Sequence, residues 1–271
     1  MTHDTTFLKN LRAALIDFDG TLWRGHSVTP GAADLFNLLQ ARGIAYRVAT
    51  NSAIKPASVY SRALLSAGLP VEEAQVITVS AATAAYLRNR LPSGSRVYVV
   101  GQDGLHQALA DAGFNILPDA SQAVDAVVVG GDLTLTYEKL KHATLLIQQG
   151  ALFIGTNPDV VYPVAEGLAP ECGANLAFLT ATTGVQPEVV GKPQPHLFQM
   201  SLQTLDVPPA QAVMIGDRLE TDIHGAQRAG LRAILVCTGV DNAESVARKG
   251  IRPDLVVTDL GELARLWRAV V

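Results

Sequence analysis

The sequence predicts an α/β protein built on parallel sheets. Three observations carry this: short apolar runs bounded by turn residues, helix-period stretches between them, and polar residues directly after several of the runs. Strands alternating with helices are covered on both faces, which is why the runs read as continuously apolar. In such sheets the active residues collect beyond the carboxyl ends of the strands.

The first strand is Ala13-Ala14-Leu15-Ile16, followed by Asp17-Phe18-Asp19-Gly20-Thr21. Period-two alternation carried past the run places Asp17 and Asp19 on the same side. Thr29-Pro30 reads as an N-cap and first-turn proline, opening a helix with Leu35, Leu38 and Leu39 on its apolar face and Gly43 at its end. Tyr46–Thr50 is a short strand, and Pro56–Ala67 a helix stopped by Gly68. Further strands are expected at Arg96–Val100, Ala126–Val129, Ala151–Ile154, Ala212–Ile215, Ala233–Cys237 and Leu255–Val257. Helices fill most gaps, among them Tyr137–Gln149 and His196–Leu205, where Phe198, Leu202 and Leu205 share a face.

The 271 residues suffice for one large domain or two modest ones, and 48% hydrophobic against 17% charged residues excludes a disordered chain. A net charge of −4 gives no general attraction to nucleic acid or an anionic membrane, so neither is an expected partner. Cys172 and Cys237 make neither a disulfide framework nor a zinc site, and the six histidines lack metal-binding spacing. Met1–Asn10 lacks the apolar core of a signal peptide, and no run is long enough to span a bilayer. The expected location is cytoplasmic.

Four strand ends carry chemistry-bearing residues: Asp17-x-Asp19, Thr50-Asn51-Ser52, Gly191-Lys192-Pro193 and Gly216-Asp217, with Asp222 five residues on. Each alone is an ordinary turn or cap. Together and in order they form a coherent phosphoryl-transfer set. Asp17 is the expected nucleophile. Two anions must meet, so a cation is required, and Mg²⁺ suits carboxylates and phosphate oxygens together. Asp17, Asp217 and the backbone carbonyl of Asp19 are its expected ligands. Lys192 adds fixed positive charge, while the Thr50 hydroxyl and the backbone amides of Asn51 and Ser52 hold phosphate oxygens. Asp19 is the expected general acid and base. Asp222 is expected to orient Lys192 or a metal-bound water.

This ordered set resembles the haloacid dehalogenase (HAD) superfamily of phosphohydrolases. Asp17-Phe18-Asp19-Gly20-Thr21-Leu22-Trp23-Arg24-Gly25 is similar to the first motif of its NagD-like group, which includes para-nitrophenyl and phosphoglycolate phosphatases. Thr156-Asn157-Pro158-Asp159, Gly191-Lys192-Pro193-Gln194-Pro195 and Gly216 to Asp222 also look typical of that group. The resemblance implies a Rossmann-like parallel-sheet core, residues 1–79 and 184–271, with a smaller inserted α/β cap, residues 80–183, that chooses the substrate. Some relatives form homodimers through the cap, so a cap-mediated homodimer stays open while the sequence leaves the oligomeric state undecided. Tyr162 stands where some pyridoxal phosphatases place a substrate-contacting histidine, which argues against pyridoxal phosphate. Tyr162 and Asp132, with Thr134 beside it, are the cap's candidate specificity residues.

The expected activity is Mg²⁺-dependent hydrolysis of a small phosphomonoester through an aspartyl-phosphate. Phosphoglycolate, a sugar phosphate, a nucleoside monophosphate and para-nitrophenyl phosphate as a model substrate all stay open. A phosphotransferase or phosphomutase would use the same residues. A phospho-accepting regulatory module uses similar types, but in about half this length.

Overall fold

The computed structural model describes residues 5–164 and 166–270, so the first four positions of the N-terminal stretch lie outside the described residues. The described chain divides into two compact units. One takes the described parts of Met1–Thr50, Ser58–Ile77 and Leu197–Val271; the other takes Asn51–Ala57 and Thr78–His196.

The first unit is organised by a six-stranded sheet in the order Leu255–Val257, Arg232–Val236, Ala212–Gly216, Ala13–Ile16, Ala45–Thr50, Val76–Thr78. The registers from Leu255–Val257 across to Ala45–Thr50 are all parallel. The two central strands are buried at every position, as continuous apolar runs in a doubly covered sheet must be. Leu15, Met214, Ala233 and Leu235 pack with Phe198, Leu219 and Ile223 in one core layer. Trp267, fully buried, donates its indole N–H to the Leu8 carbonyl and ties the last helix, Leu260–Ala269, to the N-terminal turn.

The second unit has its own five-stranded parallel sheet, ordered Glu188–Val189, Leu152–Gly155, Ala126–Val129, Arg96–Val100, Asn115–Leu117. Ala126–Val129 is wholly buried at its centre. Helices Tyr137–Gln148 and Cys172–Thr183 cover one face through Leu146, Ile147, Leu176 and Leu179. A separate antiparallel hairpin pairs Val161–Val164 with Gly167–Pro170.

The α/β class is as predicted. Ala13–Ile16, Arg96–Val100, Ala126–Val129 and Leu255–Val257 match residue for residue, and the other predicted strands differ by one position at one or both ends. Two local readings change. Thr29 does not cap the first helix, which runs Ala32–Ala41 behind Gly31. The Thr29 hydroxyl donates instead to the Thr21 carbonyl. Gly31 has φ +78°, and a Cβ there would stand 1.9 Å from the Gly261 backbone nitrogen, so the helix starts where only glycine fits. The second change concerns Asp17 and Asp19. The strand stops at Ile16, and residues 18–23 form a tight turn closed by Leu22 and Trp23 N–H bonds to the Phe18 carbonyl. Strand alternation therefore does not reach Asp19: Asp17 is buried, Asp19 exposed. Among the described residues, no helix is long and apolar enough to cross a membrane.

Candidate active site

In the first unit the acidic residues are assembled by strand register. Ile16 pairs with Ile215, and the Asp17 amide donates to the Ile215 carbonyl at 2.9 Å, so Asp17 leaves the sheet beside Gly216-Asp217. Asp222 returns to the same place by way of the Leu219–Ile223 turn. Its amide donates to the Arg218 carbonyl, while its Oδ2 accepts the Arg218 N–H. Asp17, Asp217 and Asp222 are all buried, and each offers a carboxylate oxygen within 4.8 Å of the others. Asp222, expected only to orient, thus stands as close as a ligand would.

Two glycines make room for Asp217. A Cβ on Gly20, itself at φ +85°, would lie 2.4 Å from Asp217 Oδ2, and one on Gly239 would lie 1.9 Å from it. That oxygen accepts the Val240 N–H at 2.7 Å, and the Thr21 hydroxyl approaches Oδ1 at 3.4 Å. On Gly216 a Cβ would meet Asp222 Cβ at 2.4 Å. The three glycines therefore set how tightly the carboxylates gather.

Behind this group stands Asp241, which the sequence reading did not single out. Its N–H donates to the Asp217 carbonyl, its Oδ2 accepts the Leu219 N–H at 2.9 Å, and Lys249 pairs with it at 2.8 Å. Burial pushes the Asp241 carboxyl up, but bonds from Lys249, the Leu219 amide and Ser245 outweigh it and hold the group below its ordinary value. Lys249 also reaches Glu220. No local motif marks Asp241; only the fold brings it under Asp217.

Asp19 follows differently. Its backbone bridges to Trp23, and the Gly20 amide donates to the Trp23 carbonyl. Phe18 stacks on Trp23 and meets Tyr60 edge-on. These rings hold the turn while the Asp19 carboxylate stays outside the buried group. Thr50 ends its strand in the same unit and is buried.

Asn51, Ser52 and Lys192 belong to the second unit. Lys192 follows the Glu188–Val189 strand and is 1% exposed, unusual for a lysine. The Asn51 side chain does more than the backbone role expected of it: Oδ1 accepts the Lys192 N–H at 2.8 Å, and Nδ2 donates to the Lys192 carbonyl at 3.0 Å. Asp132, a candidate for specificity, has its carboxylate turned inward. It accepts from Gln102 Nε2, the Thr134 N–H and hydroxyl, and Lys139 Nζ. Tyr162 lies half-buried on the hairpin, its backbone paired with Ala169.

Residues 14–115 match the family model described as haloacid dehalogenase-like hydrolase, and residues 189–263 match a second, HAD-hydrolase-like model. An acid sugar phosphatase of Staphylococcus aureus is 37% identical over 255 residues, covering 94% of this chain and 97% of that protein. The chain belongs to the haloacid dehalogenase superfamily. It is an enzyme, a phosphatase of the NagD-like group. Among solved structures, 4-nitrophenylphosphatase from Thermotoga maritima superposes on this HAD phosphatase with a TM-score of 0.90 at 33% identity, covering 96% of this chain and 98% of that one. A glycerol phosphate phosphatase from Mycobacterium tuberculosis, in complex with magnesium, gives 0.85 at 32% identity, covering 98% and 78%.

Proposed function

We propose that this HAD phosphatase is a Mg²⁺-dependent phosphomonoester hydrolase acting through an aspartyl-phosphate on a small phosphorylated metabolite of the sugar or glycerol phosphate kind. The observation that carries the reading is the buried group of Asp17, Asp217 and Asp222, whose oxygens lie within 4.8 Å of one another at adjoining strand ends. The names of the similar enzymes, acting on sugar phosphates, glycerol phosphate and 4-nitrophenyl phosphate, support the substrate class.

The donor set fits a hard divalent cation: it is all carboxylate oxygen, and its spread is close to that of oxygens around one such ion. Asp17, Asp217 and Asp222 would hold Mg²⁺, with the Asp19 carbonyl as a further ligand. When bound, it would neutralise charge between an anionic nucleophile and an anionic phosphate.

The residues then divide the work. The Thr50 hydroxyl and the amides of Asn51 and Ser52 hold phosphate oxygens, and Lys192 opposes their charge. An Asp17 oxygen attacks phosphorus as the bond to the leaving oxygen breaks, and Asp19, protonated, gives that oxygen its proton. Asp19, now a carboxylate, takes a proton from water. The water oxygen attacks phosphorus, the bond to Asp17 breaks, and inorganic phosphate leaves. The cap, residues 80–183, takes the leaving group, with Tyr162 a contact.

Phosphate release from a panel of phosphomonoesters, with Mg²⁺ or EDTA and with Asp17→Asn as control, tests this. Release that needs both Mg²⁺ and Asp17 is the expected result. Release that survives EDTA or Asp17→Asn would overturn it.

A further inference from the structure

We infer that Asn51 is a positioning residue that sets the place of Lys192, rather than only a donor to phosphate. The inference rests on the proposed role of Lys192.

The Asn51 carboxamide has one acceptor oxygen and two N–H donors. Oδ1 accepts the Lys192 N–H, one Nδ2 hydrogen goes to the Lys192 carbonyl, and Asp159 Oδ2 lies 3.3 Å from Nδ2 to take the other. Both backbone polar groups of one lysine are thus gripped by one side chain. Only one orientation of the amide satisfies both contacts, so the flip is fixed by the network.

Asn51 is itself held. Its carbonyl accepts Asn157 Nδ2 at 2.9 Å, and Asn157 Oδ1 accepts the Asp159 N–H. The Thr156 carbonyl takes the Gly191 N–H at 2.7 Å, just ahead of the lysine. A Cβ on Gly191 would lie 2.5 Å from the Thr156 oxygen and 2.7 Å from Asn51 Oδ1, so only glycine lets these segments meet. The Thr156-Asn157-Pro158-Asp159 motif, which the proposed reaction leaves without a role, is thereby accounted for: it braces the residue that grips the lysine.

A lysine carries a point charge on a flexible four-carbon stem, so anchoring its backbone decides where the charge can reach. A misplacement of about 1 Å costs on the order of 100-fold in rate.

The test is a double-variant cycle with para-nitrophenyl phosphate, comparing wild type, Asn51→Ala, Lys192→Ala and the pair, with thermal unfolding measured for each. Asn51→Ala should lower kcat/KM by about 100-fold, mainly through kcat. On the Lys192→Ala background the same change should cost less than about twofold, because the charge it positions is gone. Asn51→Asp keeps the volume but sets an acceptor against the Lys192 carbonyl and Asp159. It should show the same loss and the same coupling, and serves if the alanine variant does not fold. Unchanged kcat/KM in a folded Asn51 variant, or losses that multiply in the double variant, would overturn the inference. Wild-type turnover in Lys192→Ala alone would instead remove the proposed role of the lysine.

Discussion

Gly239 and Asp217 are joined by a missing atom: a Cβ on Gly239 would stand 1.9 Å from Asp217 Oδ2. The neighbouring Val240 N–H holds that same oxygen. Gly239→Ala must therefore displace the carboxylate. We expect the Mg²⁺ concentration for half-maximal activity to rise by about 10- to 100-fold, the usual cost of disturbing a ligand's support. A titration of activity with MgCl₂ measures this, and an unmoved midpoint would show that Asp217 does not bind the metal.

Asp17 and Asp19 differ in burial, and their variants should differ in kind. Asp17→Asn should leave no turnover with the protein still folded. Asp19→Asn should slow turnover by about 10²- to 10⁴-fold, the range for a general acid–base, and leave ground-state binding nearly unchanged. Single-turnover phosphate release together with inhibitor binding separates the two.

Asp241 links stability to acid. Burial opposes its ionisation, yet Lys249, the Leu219 amide and Ser245 hold the folded-state carboxyl below 3.8, its ordinary value. A carboxyl depressed on folding stabilises the protein above the unfolded value, and the gain is lost as pH falls through the folded one. Asp241→Asn should cost about 1.5–3 kcal/mol at pH 7, as for hydrogen bonds to a charged group. The difference from wild type should shrink as pH falls below 3.8. Urea unfolding at both ends of the range gives the answer; a gap that stays constant would mean the carboxylate charge contributes nothing.

Asp132 makes a contrasting case. Lys139, Thr134 and Gln102 outweigh burial and keep its carboxyl low. Because its bonds are internal, Asp132→Ala should cost about 2 kcal/mol of stability. The ranking of phosphate esters should stay the same. A reordered ranking with unchanged stability would make Asp132 a substrate contact.

Three of the four motifs were legible because each stands directly after a buried apolar run, where a polar residue is conspicuous; Gly191-Lys192-Pro193 follows only the pair Val189-Val190. The Rossmann-type alternation was legible for the same reason. What escaped depended on partners distant in sequence. The bounds of the strand before Gly191 are one case: it runs Glu188–Val189, two residues, too few for any period, set by pairing with Leu152–Gly155. Gly31 replaced Thr29 at the helix start because of the backbone at Gly261. Asn51 looked like a donor of backbone N–H, and its side chain found its use 141 residues away. Asp241 sits in a loop with no pattern, and only the register of the Ala212–Gly216 strand gives it Asp217 to support.

Thr21 and Asp217 meet across 196 positions of chain. A ribosome adding about 5–20 residues per second therefore makes Asp17 some 10–40 seconds before its acidic partners exist. During that interval the growing chain carries Asp17 with no Asp217 beside it. On the proposed reading, the acidic group is complete only once Asp217 and Asp222 have been added, late in synthesis.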